Sequence, residues 1–266
     1  MSRTVSGRIA STFERLRATR RTGLVTYVTA GDPDLARSAE ILKALDRTGA
    51  DVIEVGIPFS DPLADGPVIQ RASERALAAG TTLAKVLDMV ASLRADVRAP
   101  IVIFSYVNPV LRMGLNAFVA RAAAAGVDGV LLLDLPVEEA DGLRAALGGA
   151  GIDTIFLLSP TSTDERIRAA ARFGSGFLYA ISRLGVTGAR DTLAEGVEQI
   201  VARIRARTSL PVALGFGIST PEHVRAVGQW ADAAVVGSAL VQVVADVGSG
   251  DALVPRVEDF VRWLKS

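Results

Sequence analysis

Eight short apolar runs recur along the chain, and each is continuous where a one-sided strand would alternate with polar residues. They read GLVTYVTA (23–30), DVIEVG (51–56), PIVIFSY (100–106), VDGVLLLD (127–134), IDTIFLLS (152–159), GFLYAIS (176–182), PVALGFG (211–217) and ADAAVVG (231–237). Runs of this kind, rich in Val, Ile and Leu, suit strands buried on both faces, as in parallel sheets covered by helices. Amphipathic stretches separate them. DLARSAEILKALDRTGA sets Ala39, Leu42 and Leu45 around a helical turn and stops at Gly49, and NAFVARAAAAG and EGVEQIVARIRART behave likewise. Gly closes several of these helices just before the next strand, where a left-handed residue ends a helix cheaply.

Eight strands alternating with helices predict a single (β/α)8 TIM barrel spanning residues 1–266. The length would also accommodate two doubly wound domains. That fold asks for G-x-G-x-x-G after its first strand, whereas TAGDPD stands there and the later GFGIST lacks the third Gly. Ile9, Phe13 and Leu16 recur at helical spacing, so residues 1–20 are expected to form an extra N-terminal helix capping the barrel of residues 21–266. Additional helices are expected after strands 2 and 8. The first of these runs from Pro67 to about Ala79, with Gly80 as its stop, ahead of a second helix capped by Thr81 or Thr82.

Composition removes several classes of function. Lys+Arg and Asp+Glu balance at 29 each, leaving no net field to attract nucleic acid or an anionic membrane. There is no Cys and one His, which excludes disulfides, thiolate nucleophiles and imidazole metal clusters. No signal-type apolar segment opens the chain and no window of 18 apolar residues occurs, so a soluble, cytoplasmic protein is the expectation.

Glu54 interrupts the second apolar run near the strand's C-terminal end, where barrel enzymes keep their chemistry. An ionised Glu in a dry barrel wall is costly unless paired, so its pKa should be raised, which suits proton transfer near neutral pH. The alternative is a structural ion pair with a neighbouring Arg. Asp65 precedes Gly66-Pro67, ordinary helix-start chemistry, and Asp61 before Pro62 is an ordinary turn residue. Three glycine-bearing loops follow successive strands: SRLGVTGAR with Gly185, Thr187 and Gly188, LGFGIS with Gly215 and Gly217, and VVGSALV with Gly237 and Ser238. Barrels commonly hold a phosphate after strands 7 and 8, and the loop after strand 6 reads as a closing lid. His223, early in the helix after STPE, reads as a solvated residue.

Taken in order, GDPD, DVIEVGIPFSDPLADGPVIQ, YVNPV, LLLDLP, YAISRLGVTGAR, LGFGIS and VGSALV resemble the tryptophan synthase α subunits from about residue 20 to 245. The resemblance implies cofactor-free cleavage of indole-3-glycerol phosphate into indole and glyceraldehyde 3-phosphate. It matches Glu54 and Asp65 to the two catalytic carboxylates, and Gly188, Gly217, Gly237 and Ser238 to the phosphate site. Tyr27, Ile69, Phe104, Leu131, Tyr179 and Phe216 fall at pocket-wall positions. Tyr27 stands where the family often has Phe, and Phe104 where an aliphatic residue is common. Thr187 is placed to hydrogen-bond Asp65 on closure. Asp61, Pro62, Asn108 and Pro136 match a contact surface for a pyridoxal-phosphate β subunit, which receives the indole within an α2β2 assembly.

Of the lysines, Lys43 and Lys85 fall within helices and Lys265 is next to last, so none is set at a strand end to form an imine. The indole ring is then the electron sink. Two other readings compete: a stand-alone lyase of the same chemistry, and a phosphate-binding barrel that mainly activates a partner.

Overall fold

A computed structural model describes residues 7–181, 197–215 and 217–266. Thr187, Gly188 and Phe216, three of the expected ligand contacts, lie outside the described residues. Eight parallel strands close on themselves in sequence order, the last pairing with the first. They are β1 (Gly23–Thr29), β2 (Val52–Gly56), β3 (Ile101–Ser105), β4 (Gly129–Leu132), β5 (Asp153–Leu158), β6 (Leu178–Ile181), β7 (Val212–Gly215) and β8 (Ala233–Val236).

The described helices are α1 (Arg8–Ala18), α2 (Leu35–Arg47), α3 (Pro67–Ala78), α4 (Leu83–Leu93), α5 (Val107–Met113) and α6 (Leu115–Ala124). They continue with α7 (Asp141–Gly149), α8 (Asp164–Phe173), α9 (Val197–Arg205), α10 (Pro221–Val227), α11 (Ser238–Val247) and α12 (Leu253–Leu264). The expected extra helices are present as α3 and α4 after β2, and as α11 and α12 after β8. Thr82 caps α4, its side chain accepting from the Lys85 amide. The short α5 is not announced by any run of the sequence. Gly114, at φ 87°, breaks it from α6 in a conformation that a side chain would resist.

Strand alternation sorts the core into two shells. Val25, Val52, Val102, Ile155, Phe177, Ala213 and Ala233 point into the barrel, while Ile53, Val55, Ile101 and Ile103 face the helices. Helix α1 plugs the N-terminal end, as its spacing predicts. Ile9, Phe13 and Leu16 pack into the interior shell, and the Phe13 ring lies 5.6 Å from that of Phe177. Burying each such side chain stabilises the fold by ~1.5–3 kcal/mol.

The same end is finished by a repeated device. Asp51, Asp128, Ser175 and Asp232 stand at the entrances to β2, β4, β6 and β8. Each side chain accepts an N–H from the first or second residue of the neighbouring odd strand: Leu24 at 3.0 Å, Ile101 at 2.9 Å, Thr154 at 3.0 Å and Val212 at 2.8 Å. Arginines cover the carboxylates from outside. Arg15 and Arg21 approach Asp51, Arg8 and Arg94 approach Asp128, and Arg205 approaches Asp232. Backbone donors that would be orphaned where a strand begins are thereby satisfied.

Candidate active site

The opposite end of the barrel is built differently. In β2 the pleat sends Val52, Glu54 and Gly56 inward, and Glu54 stands in register with Tyr27 of β1 and Val102 of β3. Glu54 is 0% exposed, and neither carboxylate oxygen has a hydrogen-bond partner among the described residues. No arginine among the described residues pairs with it. Burial alone pushes its pKa from 4.5 up to about 8, so the acid is mainly protonated at neutral pH.

Asp65 ends the loop between β2 and α3, one residue before Gly66 caps that helix. It too is buried, and burial raises its pKa to about 6 against a smaller lowering by a hydrogen bond from Tyr106. The Tyr106 hydroxyl donates to Asp65 Oδ2 at 3.0 Å and accepts from the Ala64 amide at 3.0 Å. Gln70 Nε2 donates to the Asp65 carbonyl at 2.8 Å, fixing the backbone as well. Two neighbouring carboxyls thus have separated proton affinities, one favouring the acid and one the anion at pH 7.

Both acids line one cleft of about 540 Å³ at the barrel mouth. Tyr27, Ile69, Phe104 and Tyr179 form its apolar wall. The Phe104 ring meets Tyr27 edge-on at 5.2 Å and Tyr179 at 6.5 Å. Glycines make room for the two phenols: a Cβ at Gly56 would overlap the Tyr27 hydroxyl, and one at Gly215 that of Tyr179. Leu131 lies within the interior shell and does not line the cleft, whereas Leu133, the next inward residue, does.

Gly217, Gly237 and Ser238 meet at the cleft's other end. Gly217 adopts φ 84°, open mainly to glycine. Gly237 caps α11 without a side-chain acceptor, unlike Asp34, Thr82, Thr163 and Thr220, whose side chains cap α2, α4, α8 and α10. The first amides of α11 have no side-chain cap, as at α3, and a helix N-terminus of this kind favours negative charge. No lysine lines the cleft.

Asp61 and Pro136 are exposed in loops following β2 and β4, Asn108 is exposed in the first turn of α5, and Pro62 is half-buried. Beside them Leu63 is 87% exposed and Leu111 66%, an apolar surface that the motifs did not single out. His223 departs from expectation. It is buried on α10, its Nδ1 accepting from the Ser219 amide at 3.4 Å, so it packs the start of that helix and is not solvated. The sequence reading also missed Tyr106 and the bidentate pair Arg75–Asp32, at 2.7 and 2.8 Å, which ties α3 to the loop after β1. Tyr106 opens YVNPV at the end of β3, but a tyrosine there signals packing as readily as function.

A family model described as tryptophan synthase alpha chain matches residues 13–263. Among curated relatives, the tryptophan synthase alpha chain of Solibacter usitatus is 50% identical over 258 residues, 97% of each chain. That of Geobacter sulfurreducens is 54% identical over 236 residues, 89% of each. Among solved structures, Mycobacterium tuberculosis tryptophan synthase superimposes with a TM-score of 0.90 at 37% identity, covering 97% of both chains. Tryptophan synthase subunit alpha of Legionella pneumophila gives 0.86 at 36% identity, again over 97% of both.

Proposed function

The chain belongs to the tryptophan synthase alpha chain family, and on that premise we propose that Glu54 and Asp65 carry out the family's retro-aldol cleavage of indole-3-glycerol phosphate. Glu54, entering as the acid, protonates indole C3. The ring becomes an indolenine whose nitrogen carries positive charge, and ionised Asp65 accepts a hydrogen bond from that N–H. Glu54, now a carboxylate, takes the proton of the hydroxyl next to the scissile bond. The bond from C3 to the glycerol carbon breaks, the aldehyde forms, and the released electron pair restores the aromatic ring. Glyceraldehyde 3-phosphate and indole leave, with Glu54 protonated as it began.

The single observation that carries this reading is Glu54: fully buried, without a partner among the described residues, inside the barrel and raised to about 8. A structural carboxylate would have been given a cation or a donor. Asp65 at about 6 supplies the complementary anion. Support for phosphate binding by Gly217, Gly237 and Ser238, with Gly188 as a fourth position, comes from the uncapped start of α11. Tyr27, Ile69, Phe104 and Tyr179 hold the indole, joined by Leu133, with Phe216 and Thr187 as further contacts that the family resemblance implies.

Indole is apolar and would escape if released freely. The chain therefore hands it to a β subunit docked on the rim of Asp61, Pro62, Asn108 and Pro136, with Leu63 and Leu111 supplying the apolar contact. A phosphorylated substrate does not cross membranes unaided, which assigns the reaction to the cytoplasm. Indole release by the isolated chain tests the chemistry, and titration with a β subunit tests the partner. Wild-type turnover by Glu54→Gln would overturn the catalytic assignment, and failure to bind any β subunit would overturn the second.

A further inference from the structure

We infer that Tyr106 is the positioning residue of Asp65: its hydroxyl aims one carboxylate oxygen and leaves the other for the substrate. The direction of the bond is fixed by what surrounds it. The Ala64 N–H already donates to the Tyr106 oxygen at 3.0 Å, so the phenolic proton goes to Asp65 Oδ2, also at 3.0 Å. Only a carboxylate, or the unprotonated oxygen of the acid, can accept it. Oδ1 accepts no hydrogen bond among the described residues, so it is the oxygen that meets a ring N–H. Tyr106 does not line the cleft and acts through Asp65 alone.

The phenol is held rigidly enough for this task. Tyr106 is 5% exposed, and its ring packs on Phe59 with centroids 5.2 Å apart. On its own backbone, Ser105 Oγ donates to the Tyr106 carbonyl at 2.9 Å. The next amide, Val107, donates to Asp134 at 2.7 Å, so loops from β3 and β4 both grip the residue. A side chain so placed ties the loop bearing Asp65 to the end of β3.

Electrostatics adds a second consequence. The titratable groups around Asp65 are Glu54 on β2, Tyr27 on β1, Tyr179 on β6 and Tyr106 itself, with Asp134 beyond it. Among the described residues no cation is one of them. Burial raises the Asp65 pKa, and the Tyr106 hydrogen bond is what lowers it. Removing that donor should move Asp65 upward, toward the acid form at neutral pH.

The proposal rests on Asp65 being the second catalytic carboxylate, and its test separates the two. Steady-state cleavage of indole-3-glycerol phosphate is measured from pH 5 to 9 for wild type, Tyr106→Phe, Asp65→Asn and the double variant. Losing a hydrogen bond to a charged group should lower kcat/KM of Tyr106→Phe ~10- to 100-fold at pH 7. Its acid limb should move up by about one pH unit. In the Asp65→Asn background the same change should cost little further. A Tyr106→Phe profile that superimposes on wild type overturns the proposal, as does an equal loss in the Asp65→Asn background. Wild-type cleavage by Asp65→Asn would instead overturn the catalytic reading beneath it. Titration of Asp65 by carbon-13 NMR in protein labelled at the aspartate carboxyl gives the answer without turnover. An unchanged midpoint in Tyr106→Phe rejects the role.

Discussion

Asp51 and Glu54 are three residues apart at the two ends of one barrel strand, both buried, and the protein treats them in opposite ways. At the N-terminal end, Asp51 accepts the Leu24 amide and faces Arg15 and Arg21. At the C-terminal end, Glu54 has neither donor nor cation among the described residues. The contrast extends around each rim. The entrance acids Asp128 and Asp232 repeat the Asp51 arrangement, while the Asp65 side chain receives, among the described residues, a single phenolic hydrogen bond. One end spends its polar groups on closing the fold, and the other keeps them unsatisfied for a substrate. The comparison teaches that burial alone does not mark a catalytic acid; burial without compensation does.

The sharpest break of this comparison is Glu54→Gln. The amide has nearly the shape of the acid but cannot exchange the proton, so kcat should fall by at least ~10²–10⁴-fold. Stability should change in the other direction. A carboxyl whose folded pKa exceeds its unfolded value favours the fold while protonated. That contribution is complete below 4.5 and is lost as the pH climbs to about 8. Glutamine has no charged form to bury. The variant should therefore gain on wild type from pH 4.5 to about 8, by on the order of 4 kcal/mol at the upper limit. Urea unfolding at pH 5 and pH 9 measures the gap. An equal gap at both would mean that Glu54 is compensated after all.

Asp51→Ala probes the opposite end. It should leave turnover of the folded protein unchanged while removing the acceptor of a buried backbone N–H, worth ~1–3 kcal/mol. Its two arginine partners are more than half exposed and lie at 3.6 and 3.8 Å, so the ion pairs add little to that figure. A barrel of this size should lose roughly 2–4 °C of Tm per kcal/mol. Calorimetry with a parallel indole-release assay checks both halves.

A smaller effect, about tenfold for each pH unit beyond either limit, is expected in the pH profile of kcat/KM. The competent enzyme needs Asp65 as anion and Glu54 as acid. Activity should rise through about 6 as Asp65 ionises and fall through about 8 as Glu54 does. Because the lower value belongs to the required anion, the competent state is also the prevailing one between them. A profile still rising beyond pH 9 would assign the acid elsewhere.

How much of this was legible follows the same division. The strands are readable because burial on both faces leaves continuous apolar runs, and α1 because Ile9, Phe13 and Leu16 keep one helical phase. Glu54 is readable because it violates such a run. Groups recruited through space are not. Tyr106 shows its meaning only when the loop after β2 folds back to put Asp65 against it, 41 residues away. His223 was misjudged because polarity suggested solvent, while its neighbours Ser219 and Thr220 bring it inward at the start of α10. The entrance device escaped notice for a related reason. An Asp before a strand looks like a turn residue until the neighbouring odd strand offers it an N–H.

The mildest test asks whether an uncompensated polar group matters when it faces away from the mouth. Thr26 lies on β1 between Val25 and Tyr27, both inward, so its side chain points to the helix shell, beside Leu24 and Val28 in that shell. It is 0% exposed, and its hydroxyl has no hydrogen-bond partner among the described residues. By the criterion drawn from Glu54 it is uncompensated, yet it cannot reach the cleft. Thr26→Val replaces the hydroxyl with a methyl of similar volume and keeps a β-branched residue suited to the strand. Removing an unsatisfied buried hydroxyl should stabilise the protein by ~1 kcal/mol, with kcat and KM unchanged. Calorimetry should show Tm rising by a few degrees. A lower Tm would mean that Thr26 is satisfied in solution, and a changed kcat that the helix shell communicates with the mouth. Should stability rise alone, position at the mouth joins absence of a partner as the second requirement for a catalytic acid in this barrel.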